Sequence, residues 1–136
     1  MISYIDKVED ITSGMLNGFF VSDWKTFPSE ETHLQILKNS EYKILAIKND
    51  KVVGFINAIT DGVLSAYIPL LEVLPQHKNK GIGTELVKRM LEKLKDFYMI
   101  DIVCDESVQK FYEKCGMKKY SAMIIRNYSK QDGIKK

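Results

Sequence analysis

Val73-Leu74-Pro75-Gln76-His77-Lys78-Asn79-Lys80-Gly81-Ile82-Gly83-Thr84-Glu85-Leu86 decides how this chain is read. The apolar run Tyr67 to Leu74 feeds into it and Pro75 ends that run. A short basic loop follows, then two glycines one residue apart. Beyond Thr84 the apolar residues Leu86, Val87, Met90, Leu91 and Leu94, with Ile82 before them, fall on one face of a helix. The stretch therefore reads as strand, basic glycine loop, helix start. The first N–H groups of a helix lack intrahelical partners and carry the positive end of its dipole. Glycine admits close approach of an anion, and Lys78 and Lys80 add full charges. That combination suits a phosphorylated ligand; the plainer alternative is a soluble surface turn.

Outward from this stretch, a chain of 136 residues with 45% hydrophobic and 28% charged residues is the size and composition of one globular domain. A net charge of +2 gives no general attraction to nucleic acid. Cys104 and Cys115 form no CxxC pair, and His33 and His77 lie far apart, so neither a disulfide framework nor a metal site is expected. The N-terminus lacks a signal-peptide pattern and no apolar run approaches membrane-spanning length. A cytoplasmic protein with no membrane partner is the expectation.

In order, residues 2 to 6 read as a strand and Val8 to about Gly18 as a helix. Phe20 to Pro28 is an aromatic loop holding Phe20, Trp24 and Phe27, either a pocket wall or a plug for the core edge. Ser29 caps a helix that ends near Asn39-Ser40. Strands follow at 42 to 48 and 52 to 60, separated by the turn Asn49-Asp50. Asp61-Gly62 signals a tight hairpin into a long strand, 63 to 74, with Pro69 marking an irregularity. The loop helix runs from about Gly81 to Lys95, with Glu85 and Arg89 paired on its outer face. A strand over 97 to 104 should lie parallel to the one before the loop. A short helix follows, ending at Gly116. Met117 to Tyr128 is expected to supply one or two last strands. The domain is read as residues 1 to 128, with 129 to 136 a flexible tail. The expected fold is α/β, a mixed central sheet in the order β-α-α-β-β-β-α-β-α-β with helices on both faces.

Two motifs make the chain resemble the GNAT superfamily of acetyl-CoA-dependent N-acyltransferases over residues 2 to about 128. One is Leu71-Glu72-Val73-Leu74-Pro75 followed by Lys78-Asn79-Lys80-Gly81-Ile82-Gly83, near the family's Leu-x-Val-x-Pro and Gln/Arg-x-x-Gly-x-Gly/Ala. The other is Asp105, Val108 and Phe111-Tyr112-Glu113-Lys114-Cys115-Gly116-Met117, near Asn-x-x-Ala-x-x-Phe-Tyr-x-x-x-Gly-Phe. Lys78, Asn79 and Asp105 depart from the usual residues.

The resemblance implies acetyl-CoA as co-substrate, with no metal. Its pyrophosphate would sit on the amides of Asn79, Lys80, Gly81, Ile82, Gly83 and Thr84, with Lys78 in reach, and its arm would add to the strand edge at Leu71 to Val73. Asp105 and Phe111 match cofactor-side positions. The Val73 N–H would meet the thioester carbonyl, a donor worth up to about 4 kcal/mol when preorganised. Tyr112 would serve the departing thiolate. An alkylammonium has a pKa near ~10.4, so only about one molecule in 2,500 is neutral at pH 7 and a base is needed. The family's strand glutamate position holds Tyr67, which leaves Glu72 as first choice and Asp61, Asp101 or Asp23 as alternatives through water. Cys104 has no nearby His to activate it. Phe20, Asp23, Trp24, Phe27 and Tyr67 are the expected acceptor side, suited to a small-molecule amine, or a peptide amine. The resulting expectation is an acyltransferase using direct attack in a ternary complex, with a homodimer possible and no nucleic-acid partner. The alternative is a non-catalytic acyl-CoA sensor on the same fold.

Overall fold

A computed structural model describes residues 1–135. The strands are β1 (Ser3–Ile5), β2 (Tyr42–Lys48), β3 (Lys51–Thr60), β4 (Ser65–Val73) and β5 (Met99–Ile102), and the helices are α1 (Glu30–Asn39), α2 (Ile82–Lys93) and α3 (Gln109–Lys114). The sheet order is β1-β2-β3-β4-β5. The first four strands are antiparallel and β5 joins β4 in parallel, as the strand-loop-helix-strand order requires.

Both faces of the sheet are covered. On one, Ile44, Val53, Ile56, Ala66 and Ile68 pack against Ile82, Leu86, Val87, Met90 and Leu94 of α2 and Tyr112 of α3. On the other, Leu45, Val52, Phe55 and Leu74 meet Leu16, Phe19, Phe20 and Leu37. Coverage on both sides is why β3 reads as a nearly unbroken apolar run. Gly54 in β3 lets α2 press close: a Cβ there would lie 3.2 Å from both Ile82 Cγ2 and Leu86 Cδ1. Ile82 is the first residue of α2, so this contact sets where the helix begins.

Ser29 accepts the Thr32 N–H as the expected cap, and Arg89 pairs with Glu85 at 2.6 Å. Three expectations need correction. The helix from Val8 to Gly18 is only the 3-10 turn Ser13–Leu16, because Thr12, Ser13, Gly14, Asn17 and Gly18 are poor helix formers. Val8, Ile11, Leu16 and Phe19 are buried all the same, so their spacing recorded burial, not helix. The Asp61-Gly62 hairpin is a wider loop, and β4 starts at Ser65. The Asp61 carboxylate accepts the N–H groups of Val63, Leu64 and Ser65, which competes with ladder pairing. The final strands over 117 to 128 do not form; residues 118–127 run outside the sheet and exposed. Beyond them Tyr128–Lys130 is a 3-10 turn, and a Cβ on Gly133 would lie 3.1 Å from Thr32 Cγ2 of α1. Lys136 lies outside the described residues. Among those residues no helix is long and apolar enough to cross a membrane.

Candidate active site

β4 divides at Pro69. From Ser65 to Ile68 it pairs with β5, ending at Ile68–Ile102. On the β3 side the register shifts between Asn57 and Ile59, opposite the proline, and then resumes from Leu70 to Val73. Beyond Ile68 nothing among the described residues pairs with the β5 side of β4. The exposed groups can be identified. Leu74 N–H donates to the Val53 carbonyl at 2.9 Å, continuing the Gly54–Val73 register. In an antiparallel pair such bonds alternate, so Glu72 and Leu74 turn their backbone groups to β3, while Leu71 and Val73 turn theirs into the opening.

The basic loop stands at the head of this opening. Pro75–His77 forms a 3-10 turn, and Asn79 (φ 62°) and Gly81 (φ 82°) are left-handed. Such alternation turns successive N–H groups inward to form an anion cradle. The first intrahelical bond of α2 is from Glu85 N–H to the Gly81 carbonyl, so the amides of Ile82, Gly83 and Thr84 are free of helix partners. A Cβ at Gly81 would meet nothing within 4 Å, so the cradle has room for a ligand. Lys48 and Lys51, from the β2–β3 turn, lie close enough to His77, with Lys80, to depress its pKa further than burial alone does. The sequence showed only the local cluster; the fold enlarges it.

The two motifs meet at Gly83, where a Cβ would lie 3.5 Å from the Phe111 ring and 3.8 Å from Val73 Cγ2. Tyr112, buried beside Phe111, has its pKa pushed up to about 12 by burial, with Cys104 and Cys115 adding to the shift. It holds its proton at neutral pH. Both thiols are themselves raised by burial, Cys104 also by Asp105, which argues against a cysteine nucleophile. Asp105 stands at the head of the turn before α3, without a side-chain capping bond, and is exposed.

Glu72 points to the opposite face of the sheet. Both of its carboxylate oxygens accept the Phe20 N–H, at 2.9 and 3.2 Å. Burial raises its pKa, Asp23 adds to the rise, and the Phe20 N–H and Lys78 oppose it. Phe20 itself (φ 74°) is buried against His33, Phe55 and Trp24. Its ring belongs to the core, and its backbone, which sequence reading overlooked, is what reaches the site. Trp24 is half-buried, Asp23 and Phe27 are exposed, and Tyr67 lines a groove with Tyr112. Asp61 is removed from the bases: three backbone N–H groups hold its pKa down at about 2, and it lies at the other end of β4. Gly54 is a further residue that the reading missed; a glycine inside an apolar strand was the available signal. Among the described residues no three His, Cys, Asp or Glu side chains gather as a metal site.

Residues 10–117 match the family described as acetyltransferase (GNAT). A crystal structure of a candidate acetyltransferase from Deinococcus radiodurans R1 superposes with a TM-score of 0.95 at 42% identity, covering 99% of this chain and 94% of that one. A GNAT-family acetyltransferase from Streptococcus pneumoniae TIGR4 gives 0.76 at 28% identity, covering 93% and 98%. Among curated proteins, the chloroplastic GCN5-related N-acetyltransferase 3 of Arabidopsis thaliana is 38% identical over 74 residues, 53% of this chain and 31% of the relative. N-alpha-acetyltransferase 30 of Schizosaccharomyces pombe is 26% identical over 92 residues, 61% of each. This chain thus spans under two thirds of the length of either curated relative.

Proposed function

The chain belongs to the acetyltransferase (GNAT) family, whose co-substrate is acetyl-CoA, and from that premise we propose that residues 1 to 128 form one N-acetyltransferase domain acting on a small-molecule amine, or a peptide amine, in a ternary complex. The observation that carries this reading is the opening of β4 from β5 beyond Ile68, with the unpaired Val73 amide facing it below the glycine loop. In the proposed complex the loop amides from Asn79 to Thr84, with Lys78 and Lys80, hold the pyrophosphate. Leu71 and Val73 pair with the amide-like arm as a missing strand would, and Asp105 and Phe111 flank it.

Glu72, on the face of the aromatic loop, takes a proton from the ammonium of the acceptor. The neutral nitrogen attacks the thioester carbon while the Val73 N–H donates to the oxygen that gains charge. The nitrogen gives its second proton to solvent as the C–S bond breaks, so that a neutral amide and the CoA thiolate result. Tyr112, on the other face, donates a hydrogen bond to the leaving thiolate. A tyrosine at about 12 is a weaker acid than a thiol of about 8.5, so it stabilises the thiolate by donation rather than by surrendering its proton. Base and leaving-group donor thus serve opposite faces of one carbonyl. Tyr67, Asp23, Trp24 and Phe27 border the acceptor side; an apolar or aromatic amine suits them better than an acidic one.

Release of CoA across a panel of amines and N-terminal peptides tests this. Turnover of small apolar amines is the expected result. Turnover of acidic acceptors alone would overturn the acceptor class, and tight acetyl-CoA binding without any turnover would establish the sensor in its place.

A further inference from the structure

We infer that two copies of this chain exchange the arm 118–127, so that the arm of each lies as a strand on the free edge of β5 in the other. The arm, Lys118-Lys119-Tyr120-Ser121-Ala122-Met123-Ile124-Ile125-Arg126-Asn127, is rich in residues that favour strands. It forms none in its own chain. Tyr120 is 98% exposed, Met123 98%, Ile125 85%, Tyr128 68% and Ile124 56%. Apolar residues fall on both faces of the alternation, as in a strand covered on both sides. Such a segment left bare is a template for pairing with another chain.

The same chain carries a matching acceptor. β5 ends the sheet, with no strand beyond it among the described residues. Beside its edge lie the exposed apolar side chains of Val63, Leu64, Tyr98, Met99 and Val103. A groove of about 680 Å³ separates β5 from the start of the arm, with residues 98 and 100–104 on one wall and 117–122 on the other. The arm is fixed at both ends to its own body, by the Met117 N–H donating to the Tyr112 carbonyl and by Gly133 against Thr32. It therefore stands off its own β5 and leaves a slot.

A second arm fills that slot under two-fold symmetry, giving the order β5, second copy's arm, own arm, second copy's β5. Donor and acceptor are on every copy, so the assembly closes at two. Charge permits it: Asp101 and Glu113 line the groove together with Lys118 and Lys119, which balances its charge, and the second copy's arm adds Arg126. Asp101 and Arg126 belong to none of the ion pairs within the described chain. The four exposed apolar side chains of the arm, Tyr128 just beyond it and the acceptor patch together present several hundred Å² per copy, on the order of the ~800 Å² per partner of a standard interface. Tyr67 and Tyr112 line this groove, so the second copy's arm becomes the outer wall of the space beside Tyr112.

The test is solution mass by light scattering, with hydrogen exchange of the arm amides in the same samples. The wild-type chain should have twice the monomer mass, with amides 120–126 protected. Ile124→Lys/Ile125→Lys should halve the mass and expose those amides while circular dichroism still reports a folded domain. Because that variant can fail to fold, single cysteines placed in turn at 121 to 125 in a Cys104→Ser/Cys115→Ser background provide a second reading. Antiparallel arms bring one position opposite its own copy, so one of the five should give a covalent dimer under oxidation. A wild-type monomer, whether its arm amides are protected or not, would overturn the exchange. So would a dimer whose arm amides exchange freely and whose five cysteine variants all fail to cross-link. Acetyl transfer does not enter these measurements, so their outcome stands apart from that of the amine panel.

Discussion

The two halves of β4 have the same backbone geometry and opposite fates. From Ser65 to Ile68 the strand is bonded to β3 on one side and β5 on the other, and its alternate residues Ala66 and Ile68 are core. From Leu70 to Val73 it is bonded on one side alone, and every residue is only partly buried. Pro69, which has no N–H to give to a ladder, stands between them. The first half spends its hydrogen bonds on the fold. The second keeps two residues' worth of backbone groups free, and a preorganised amide in a cleft is what a developing oxyanion requires.

If that division is sound, substitutions in the two halves must fail differently. The largest effect is expected from Glu72→Gln, which should lower kcat by about 10²–10⁴ with little change in stability. In the wild type the acid limb of kcat/KM should lie above the ordinary carboxylate range, because burial raises the Glu72 pKa and the base works only when ionised; the limb should vanish in the variant. An unchanged profile would remove Glu72 from the mechanism. Ile68→Ala, in the first half, should cost about 2–5 kcal/mol of stability and leave the activity per folded molecule near that of the wild type. Urea unfolding and active-site titration separate the two, and a selective loss of kcat would erase the contrast.

His33 lies beneath the second half, its ring 4.4 Å from that of Phe55, which pairs with Glu72. It is buried, neither ring nitrogen has a hydrogen-bond partner, and burial lowers its pKa from 6.5 to about 4. A histidine held neutral gives stability that is complete above pH 6.5 and is lost as pH falls toward 4, in total about 3 kcal/mol. His33→Phe should flatten that dependence between pH 6.5 and 4. Equal pH slopes for variant and wild type would show that the ring does not titrate with unfolding. The smallest effect belongs to Gly54→Ala. Its methyl would push on Ile82 at the start of α2, at a cost of about 1–3 kcal/mol. It should raise KM for acetyl-CoA more than it lowers kcat. A stability change with KM unmoved would mean that the loop adjusts independently of the helix.

Much of this was legible in the residues. Gly81, Gly83 and the periodicity from Ile82 to Leu94 specify a loop and a helix by local rules, and Ser29 with Glu30 and Glu31 specifies another. Pro69 announced its irregularity because a missing donor is a property of the residue itself. The failures came where pattern and environment part. The spacing from Val8 to Phe19 records which side chains are buried, and a helix is only one way to bury them. The strand-like run from Tyr120 to Ile125 records what the chain could pair with, not where a partner lies.

The sequence by itself determined the family, the glycine loop and the order of the elements from α1 to α3, because these rest on glycine geometry, helix ends and short-range periodicity. Tertiary structure decided the rest. It brought the Phe20 N–H to Glu72 across 52 positions of the chain, gathered Lys48 and Lys51 near His77, and parted β4 from β5 so that the Val73 amide faces open space. None of these follows from neighbours in the chain, since each depends on which surfaces remain unpaired once the core has closed.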